Sequence, residues 1–189
     1  MANKLITIQY ISVDGVIQDP VGMEGSGLGD WTGPFKRGPK GDKFQRDALF
    51  NAEAVMLGRV TYDGFAAVWP QVNDREGFGN RMNSLPKHVP SKTLTKLSWN
   101  NSHLMTGDLI EAAKKIKASA KGDIVMYGSA SLVHQLMPHG LIDEYALMFF
   151  PVVLGRGKKL FPENLKQNLA LIENQQFGDG ITLLRYVNA

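Results

Sequence analysis

Three short polar segments carry residues that suit a phosphate-bearing ligand. They are Gly58-Arg59-Val60-Thr61, Ser91-Lys92-Thr93 and Gly128-Ser129-Ala130-Ser131, and each follows an apolar run. Arginine offers a planar fork of hydrogen-bond donors, and small residues let a ligand approach the backbone closely. The second segment offers two hydroxyls and one cation, the set that a ribose 2′-phosphate would use. Together the three segments predict a site for a phosphorylated dinucleotide.

Each segment also has a purely structural interpretation. Gly58 can make a turn and Arg59 can lie in water, while Thr61 or Asp63 can cap a helix. The segment that begins at Gly128 can be a tightly packed helix cap, and Ser-Lys-Thr is common in exposed turns. The sequence has no GxGxxG after a strand and no Walker A pattern, so neither a Rossmann nor a P-loop site is predicted. The occurrence of all three segments in one chain favours cofactor binding.

Hydrophobic patterning predicts the elements that would bring these segments together. Apolar runs at 54–57 and 123–128 are typical of buried strands, and further strands are predicted around 87–89 and over 143–155. A strand followed by a crossover helix and another strand implies a parallel pair. In an open α/β sheet, ligands bind beyond the carboxyl ends of parallel strands. We therefore expect the three segments to share one edge of a sheet.

Helix signals and a hairpin signal complete the predicted fold. Asp42 to Ala52 and Thr61 to Val68 have helical spacing, and the segment from Asp108 to Gly122 combines an apolar stripe with capping residues at both ends. Two apolar runs joined by Gly178-Asp179-Gly180 predict an antiparallel C-terminal hairpin. The predicted fold class is α/β, a three-layer α/β/α domain over residues 1–189 with a mixed sheet.

A glycine-rich segment has the features of a loop over a site. Residues 18–41 hold seven glycines and three prolines, with Trp31 and Phe35 among them. Irregular segments of this length are uncommon inside compact domains and usually serve function. We interpret this segment as an active-site loop.

Composition excludes several other classes of function. The 189 residues are 43% hydrophobic with a formal net charge of +3 and no cysteine, so disulfide and thiolate chemistry are excluded. The basic residues are dispersed, the four histidines lack metal-binding spacing, and no GxSxG elbow is present. No apolar stretch approaches the roughly 20 residues of a membrane helix. We expect a cytoplasmic protein that binds no metal, membrane or nucleic acid.

Several of these segments resemble a known family. VMLGRVTYDGF at 55–65 is similar to the glycine-arginine-x-threonine turn of dihydrofolate reductases, and IVMYGSASLVHQLMP at 124–138 is similar to their second phosphate-binding segment. SVDGVI at 12–17 resembles their first strand–loop junction. SVDGVIQDP, GDWTGPF and FFPVVLGRGKKLF are typical of stand-alone bacterial members of the dihydrofolate-reductase-like family, which includes the reductase domain of the bifunctional riboflavin-biosynthesis protein.

The resemblance implies NADPH as cofactor. Val16 and Ile17 would border the nicotinamide, and the polar segments would hold the phosphates and ribose. The expected cofactor-binding residues are Val16, Ile17, Gly58, Arg59, Thr61, Ser91, Lys92, Thr93, Gly128, Ser129, Ala130, Ser131 and Leu132. Dihydrofolate reductases have a double glycine at the second phosphate site, often with a cis peptide, whereas Ser129 follows Gly128 here.

Candidate catalytic residues follow from the same resemblance. Asp42 lies sixteen residues before Gly58, the separation that places the substrate-binding carboxylate of dihydrofolate reductases, and Trp31 lies in the loop that would close over the substrate. Asp42 has an alternative interpretation as a helix N-cap, and Asp47 could face the cleft instead.

The resulting functional hypothesis is NADPH-dependent hydride transfer to a pteridine- or pyrimidine-like heterocycle. The sequence lacks the arginine–histidine pair and the acidic-proline-leucine segment of riboflavin-pathway reductases. Alternatives are a non-catalytic nucleotide-binding or regulatory protein that retains the cofactor cleft, and an oligomeric scaffold. The apolar segment FFPVVLG favours a homodimer.

Overall fold

Eight strands form one mixed sheet in the computed structural model, which describes residues 3–189. The strands are β1 (Leu5–Ser12), β2 (Ala54–Leu57), β3 (Lys87–Pro90), β4 (Ser102–Met105), β5 (Ile124–Tyr127), β6 (Glu144–Phe150), β7 (Leu169–Gln176) and β8 (Thr182–Asn188). Their order in the sheet is β4-β3-β2-β5-β1-β6-β8-β7. Strands β1 to β6 pair in parallel, whereas β8 pairs antiparallel with both β6 and β7. The predicted mixed sheet is confirmed.

Helices cover both faces of the sheet, as a three-layer α/β/α fold requires. They are α1 (Gly38–Asn51), α2 (Arg59–Val68), α3 (Phe78–Ser84), α4 (Leu109–Ser119) and α5 (Ala130–Leu136). Successive strand residues point to opposite faces. Val55 therefore packs in the core with residues of α1, α2 and α3, whereas Met56 packs in a second core with residues of α4 and α5. None of the helices in the described part of the chain has the length and apolar composition needed to span a bilayer.

Two predicted elements are confirmed in detail. Asp108 caps α4, because its carboxylate accepts a hydrogen bond from the backbone N–H of Glu111 at 3.0 Å. The apolar stripe of α4 packs against the core, with Ala113 fully buried. At the C-terminus β7 and β8 form the predicted antiparallel hairpin around Gly178–Gly180, with a bulge between Leu171 and Glu173.

Three predicted boundaries are wrong. Helix α1 begins at Gly38, so Asp42 lies inside the helix and is not its N-cap. Pro39 occupies the first turn, where its missing N–H costs nothing. Helix α2 begins at Arg59 with Gly58 as N-cap, so neither Thr61 nor Asp63 caps it. Strand β6 ends at Phe150, well before residue 155, because the following proline has no N–H for the ladder.

A buried lysine fixes the start of β3. The Lys87 ammonium donates hydrogen bonds of 2.8 to 3.0 Å to the backbone carbonyls of Asn83, Leu85 and Asn100. It also lies 4.4 Å from the ring centroid of Trp99. Burial lowers the pKa of Lys87 to about 8. These contacts tie the end of α3 and the turn before β4 to the strand that leads into Ser91.

Candidate functional site

The three polar segments meet at one cavity. Strands β3, β2 and β5 are neighbours in the sheet, and beyond their C-terminal ends lies a cavity of about 330 Å³. Its lining includes Gly58 and Arg59 after β2, the segment 91–93 after β3, and Ser131 and Leu132 of α5. Parallel pairing therefore brings together turns that are more than thirty residues apart in the chain. This is the arrangement that a shared ligand requires.

Two glycines allow the turns after β2 and β5 to touch. A Cβ atom on Gly58 would lie 2.5 Å from the Cβ of Ser129, and a Cβ on Gly128 would lie 2.5 Å from the Oγ1 of Thr61. Gly128 also has a φ of +57°, a conformation that side chains disfavour. The peptide bond between Gly128 and Ser129 is cis. The two turns therefore pack directly against each other beside the cavity.

The charged lining of the cavity is cationic. Among the described residues that line it, the charged ones are Arg59 and Lys92. Arg59 is half-exposed and makes a 2.7 Å ion pair with Asp63, one turn further along α2. Ser91 shapes the turn, because its hydroxyl accepts hydrogen bonds from the backbone N–H groups of Thr93 and Leu94 at 3.2 and 3.0 Å. The exposed Lys92 ammonium is then free to meet an anion at the cavity mouth.

Sequence reasoning missed a fourth strand end. Strand β4, the neighbour of β3, ends at Met105 and is followed by Thr106 and Gly107. These three residues line the same cavity, together with Leu109 and Ala112 of α4. This side of the cavity is largely apolar, which suits a flat ring. The signal was present in the sequence, because this strand is also followed by a glycine turn and a capped helix.

The expected nicotinamide contacts lie one strand away from the cavity. Val16 and Ile17 are buried beyond the end of β1, the neighbour of β5. They do not line the cavity of about 330 Å³, nor a second cavity of about 450 Å³ beside α1. Val16 donates its backbone N–H to the hydroxyl of Ser12 at 2.9 Å, and Ile17 donates to the carbonyl of Lys158 at 3.0 Å. A ligand that reaches them from the cavity must pass the Gly128 turn.

Trp31 belongs to an aromatic cluster under the glycine-rich loop. It is 5% exposed, and its indole N–H donates to the carbonyl of Gln18 at 2.9 Å. Its ring lies edge-on to Phe150, with 5.7 Å between centroids. Phe150 also contacts Tyr10 and Phe35, at 5.1 and 5.9 Å. The predicted loop tryptophan is therefore packed against the end of β6.

The two candidate carboxylates lie outside the cavity at the ends of β3, β2 and β5. Asp42 is exposed and forms a 3.1 Å ion pair with Arg37, which also donates a hydrogen bond to the hydroxyl of Tyr10. Asp47 pairs with Lys43 and lines a second cavity of about 450 Å³, between α1 and the N-terminal parts of β1, β5 and β6. Seven of the expected cofactor-binding residues line this one cavity: Gly58, Arg59, Ser91, Lys92, Thr93, Ser131 and Leu132. Besides Val16 and Ile17, the residues predicted with them that do not line it are Thr61, Gly128, Ser129 and Ala130, and both carboxylates also lie apart from it.

The chain is similar to known proteins in sequence and in fold. The chain is 30% identical over 145 residues to the uncharacterized protein YyaP of Bacillus subtilis (strain 168), covering 74% of this chain and 76% of the relative. A putative riboflavin biosynthesis protein from Shewanella sp. PV-4 shares the fold with a TM-score of 0.77 and 20% identity, over 98% of this chain and 99% of that one.

Dihydrofolate reductase from Enterococcus faecalis, complexed with NADP(H) and RAB-propyl, shares the fold with a TM-score of 0.60 and 16% identity, over 100% and 98% of the two chains. These likenesses confirm the dihydrofolate-reductase-like fold. Because the sequence profile of the RibD C-terminal domain matches residues 3–183, the chain belongs to that family.

Proposed function

We propose that the protein is an NADPH-dependent oxidoreductase that transfers hydride to a small pteridine- or pyrimidine-like heterocycle. The observation that carries the proposal is the convergence of three turns on one cavity whose charged lining is Arg59 and Lys92. A dinucleotide with several phosphates matches that charge, and the related Enterococcus faecalis enzyme is complexed with NADP(H).

The residues present fit such a cofactor. Gly58 and Gly128 allow the turns after β2 and β5 to pack directly on each other, which brings Arg59 and Ser131 to the same cavity. Arg59 would pair with the pyrophosphate, and Ser91, Lys92 and Thr93 would hold the 2′-phosphate. When bound, the cofactor supplies the hydride.

The chain itself would orient the substrate and exclude water. Asp19 organises the glycine-rich loop by accepting hydrogen bonds from the N–H groups of Glu24 and Ser26 and from the Ser26 hydroxyl. Burial opposes ionisation of Asp19, but these hydrogen bonds hold its pKa below the usual range. Arg156 donates to the carbonyl of Gly27 at 3.0 Å and ties the loop to the segment after β6. A loop held in this way can cover a substrate beside Trp31.

Replacing Lys92 tests the cofactor assignment. In Lys92→Ala we expect the dissociation constant for NADPH to rise about tenfold while that for NADH is unchanged, because NADH has no 2′-phosphate. Lys96→Ala is the matched control, since Lys96 is also exposed in the same loop but does not line the cavity. An unchanged NADPH-to-NADH ratio in Lys92→Ala would contradict the assignment.

Turnover separates the reductase from the non-catalytic alternative. We expect the wild-type protein to oxidise NADPH in the presence of at least one member of a panel of dihydrofolate, dihydropterins and aminopyrimidines. Tight NADPH binding with no oxidation across the panel would favour a nucleotide-binding or regulatory protein that retains the cleft.

A further inference from the structure

Two tyrosine hydroxyls lie on one face of the sheet, near the C-terminal ends of β1 and β5. Tyr10 is near the C-terminal end of β1, and Tyr127 is the last residue of β5, directly before Gly128. Ile8 pairs with Tyr127, so Tyr10, two residues further along β1, points to the same face of the sheet. Gln9 donates to the carbonyl of Gly128 at 2.9 Å and holds the two strand ends together.

Neither hydroxyl proton has an acceptor among residues 3–189. The Tyr10 oxygen accepts hydrogen bonds from Arg37 and, at 3.4 Å, from the amide of Gln45. Both of these partners are donors, so the proton of Tyr10 itself remains available. The Tyr127 oxygen is buried with no hydrogen-bond partner at all. Buried donors in proteins are usually paired, and a bound ligand can supply an acceptor to each of these hydroxyls.

The surroundings of Tyr10 keep its hydroxyl protonated and place a cation beside it. Burial raises the pKa of Tyr10, whereas the neighbouring Arg37 guanidinium lowers it and Asp42, the ion-pair partner of Arg37, opposes that effect. The hydroxyl therefore stays protonated through the neutral range. Arg37 lies within hydrogen-bonding reach and can stabilise the negative charge that forms on the oxygen after the proton leaves.

We propose that Tyr10, and not a carboxylate, donates the proton to the ring nitrogen of the reduced heterocycle. This inference rests on the proposed reductase function. When hydride reaches the carbon of a C=N bond, the π pair moves to nitrogen, which takes the proton from the Tyr10 oxygen. Arg37 stabilises the tyrosinate, which then recovers a proton from water.

The same geometry narrows the substrate class. Phe150 packs against the ring of Tyr10 and Trp31 packs against Phe150, and both are almost fully buried, so the Tyr10 ring lies in an apolar, aromatic environment. Tyr127 provides a second hydroxyl donor on the same sheet face, suited to a carbonyl oxygen. The ligand that satisfies both donors is a planar heterocycle with an imine nitrogen and a ring carbonyl, such as an oxo-dihydropterin.

Tyr10→Phe tests the inference, with Tyr145→Phe as matched control. Tyr145 is buried with an unpartnered hydroxyl and lies in the other core, on the α4 and α5 side. We would measure NADPH affinity, the affinity for 7,8-dihydropterin in the presence of NADP⁺, and the rate of NADPH oxidation with that acceptor. In Tyr10→Phe we expect unchanged NADPH affinity, about tenfold weaker pterin binding, and at least about a hundredfold slower oxidation at neutral pH. Tyr145→Phe should match the wild type in all three.

The outcomes distinguish this inference from the function on which it rests. Wild-type oxidation of NADPH that persists unchanged in Tyr10→Phe overturns the role of Tyr10 and leaves the reductase standing. Equal losses in Tyr10→Phe and Tyr145→Phe also overturn it, because they would report general packing. A wild-type protein that neither binds nor reduces any heterocycle overturns both proposals.

Discussion

Because Gly58 has no side chain, the turns after β2 and β5 can pack directly against each other. Its φ of −65° is open to any residue, so backbone strain does not require glycine here. The requirement is contact, because an added Cβ would lie within 3.0 Å of both the Cβ and the Oγ of Ser129. Atoms at that distance must move apart, and the movement would separate the turns after β2 and β5.

We predict that Gly58→Ala weakens NADPH binding at least tenfold and lowers the free energy of unfolding by about 1 to 3 kcal/mol, the usual cost of overpacking. Gly64→Ala is the control, because a Cβ at Gly64 meets nothing closer than 4.0 Å. Within helix α2 that change should stabilise the protein by up to about 1 kcal/mol. Urea denaturation and cofactor titration of both variants check the prediction; equal NADPH affinity in the two would contradict it.

The sequence alone predicts the role of some residues of the site but not of others. Arg59 and Lys92 could be predicted because their chemistry is local and each follows an apolar run. Tyr10 could not, because its role depends on Arg37 and Gln45, which reach it from the loop and from α1. The alternation of a strand indicates which face a tyrosine occupies but not which donors meet it there.

At the scale of elements, Asp14 holds the turn that carries the expected nicotinamide contacts. Its carboxylate accepts hydrogen bonds from the Ser12 hydroxyl at 2.7 Å and from the N–H groups of Leu154 and Gly155 at 3.1 and 2.8 Å. These bonds, led by the one from Ser12, lower the pKa of Asp14 to about 2. One side chain thus joins the exit of β1 to the exit of β6.

We predict that Asp14→Asn destabilises the protein at neutral pH by on the order of 1 kcal/mol, because solvent screens this exposed carboxylate. The folded pKa lies below the unfolded value near 4, so the stabilising effect of the ionised group is complete above about pH 4. It is lost as the pH falls through the folded pKa of about 2. The urea midpoints of wild type and variant should therefore stay apart from pH 7 to about pH 4 and converge as the pH falls towards 2. A stability difference that is constant across this range would contradict the assignment.

Element boundaries were predictable where the signals were local. Helix α4 was predicted correctly because Asp108 supplies a side-chain cap and the apolar stripe is regular. Helix α1 begins four residues before Asp42, because Pro39 can occupy the first turn of a helix as well as a loop. Helix α3 was not predicted, since its seven residues give too few turns for a periodic pattern.

At the scale of the whole molecule, a buried ion network joins the parallel strands to the C-terminal hairpin. Glu144 of β6 is 1% exposed and accepts hydrogen bonds from Arg185 of β8 at 2.6 Å and from Lys4 at 3.3 Å. Arg185 also pairs with Glu173 of β7. The sequence predicts the hairpin from its turn but not this network, because the register between β6 and β8 is a tertiary property.

Local sequence patterns also do not specify the order of the strands in the sheet. Parallel pairing was predictable from the alternation of strands and helices. The insertion of β5 between β2 and β1, which places Gly128 next to both Gly58 and the end of β1, was not. The proposed cofactor cavity depends on that insertion, and so the sequence alone could predict residues that line it but not its shape.

The ion network leads to a prediction about how the sheet is held together. Arg185→Met leaves Glu144 buried with Lys4 alone, so we expect a loss of about 3 kcal/mol in the free energy of unfolding. Glu144→Leu leaves Arg185 29% exposed and still paired with Glu173, so its cost should be smaller, about 1 to 2 kcal/mol. The double variant should recover to within about 1 kcal/mol of wild type, because apolar residues can replace a buried pair at little cost.

Urea denaturation of the wild type, the two single variants and the double variant measures the coupling energy of the pair. Lys114→Ala is the control, since it breaks an exposed ion pair with Glu111 and should cost less than about 0.5 kcal/mol. Additive losses in the double variant would show that Glu144 and Arg185 act independently. In that case the hairpin must be held to β6 by its backbone ladder and apolar contacts, and the interior charges of this sheet would have no joint effect on its stability.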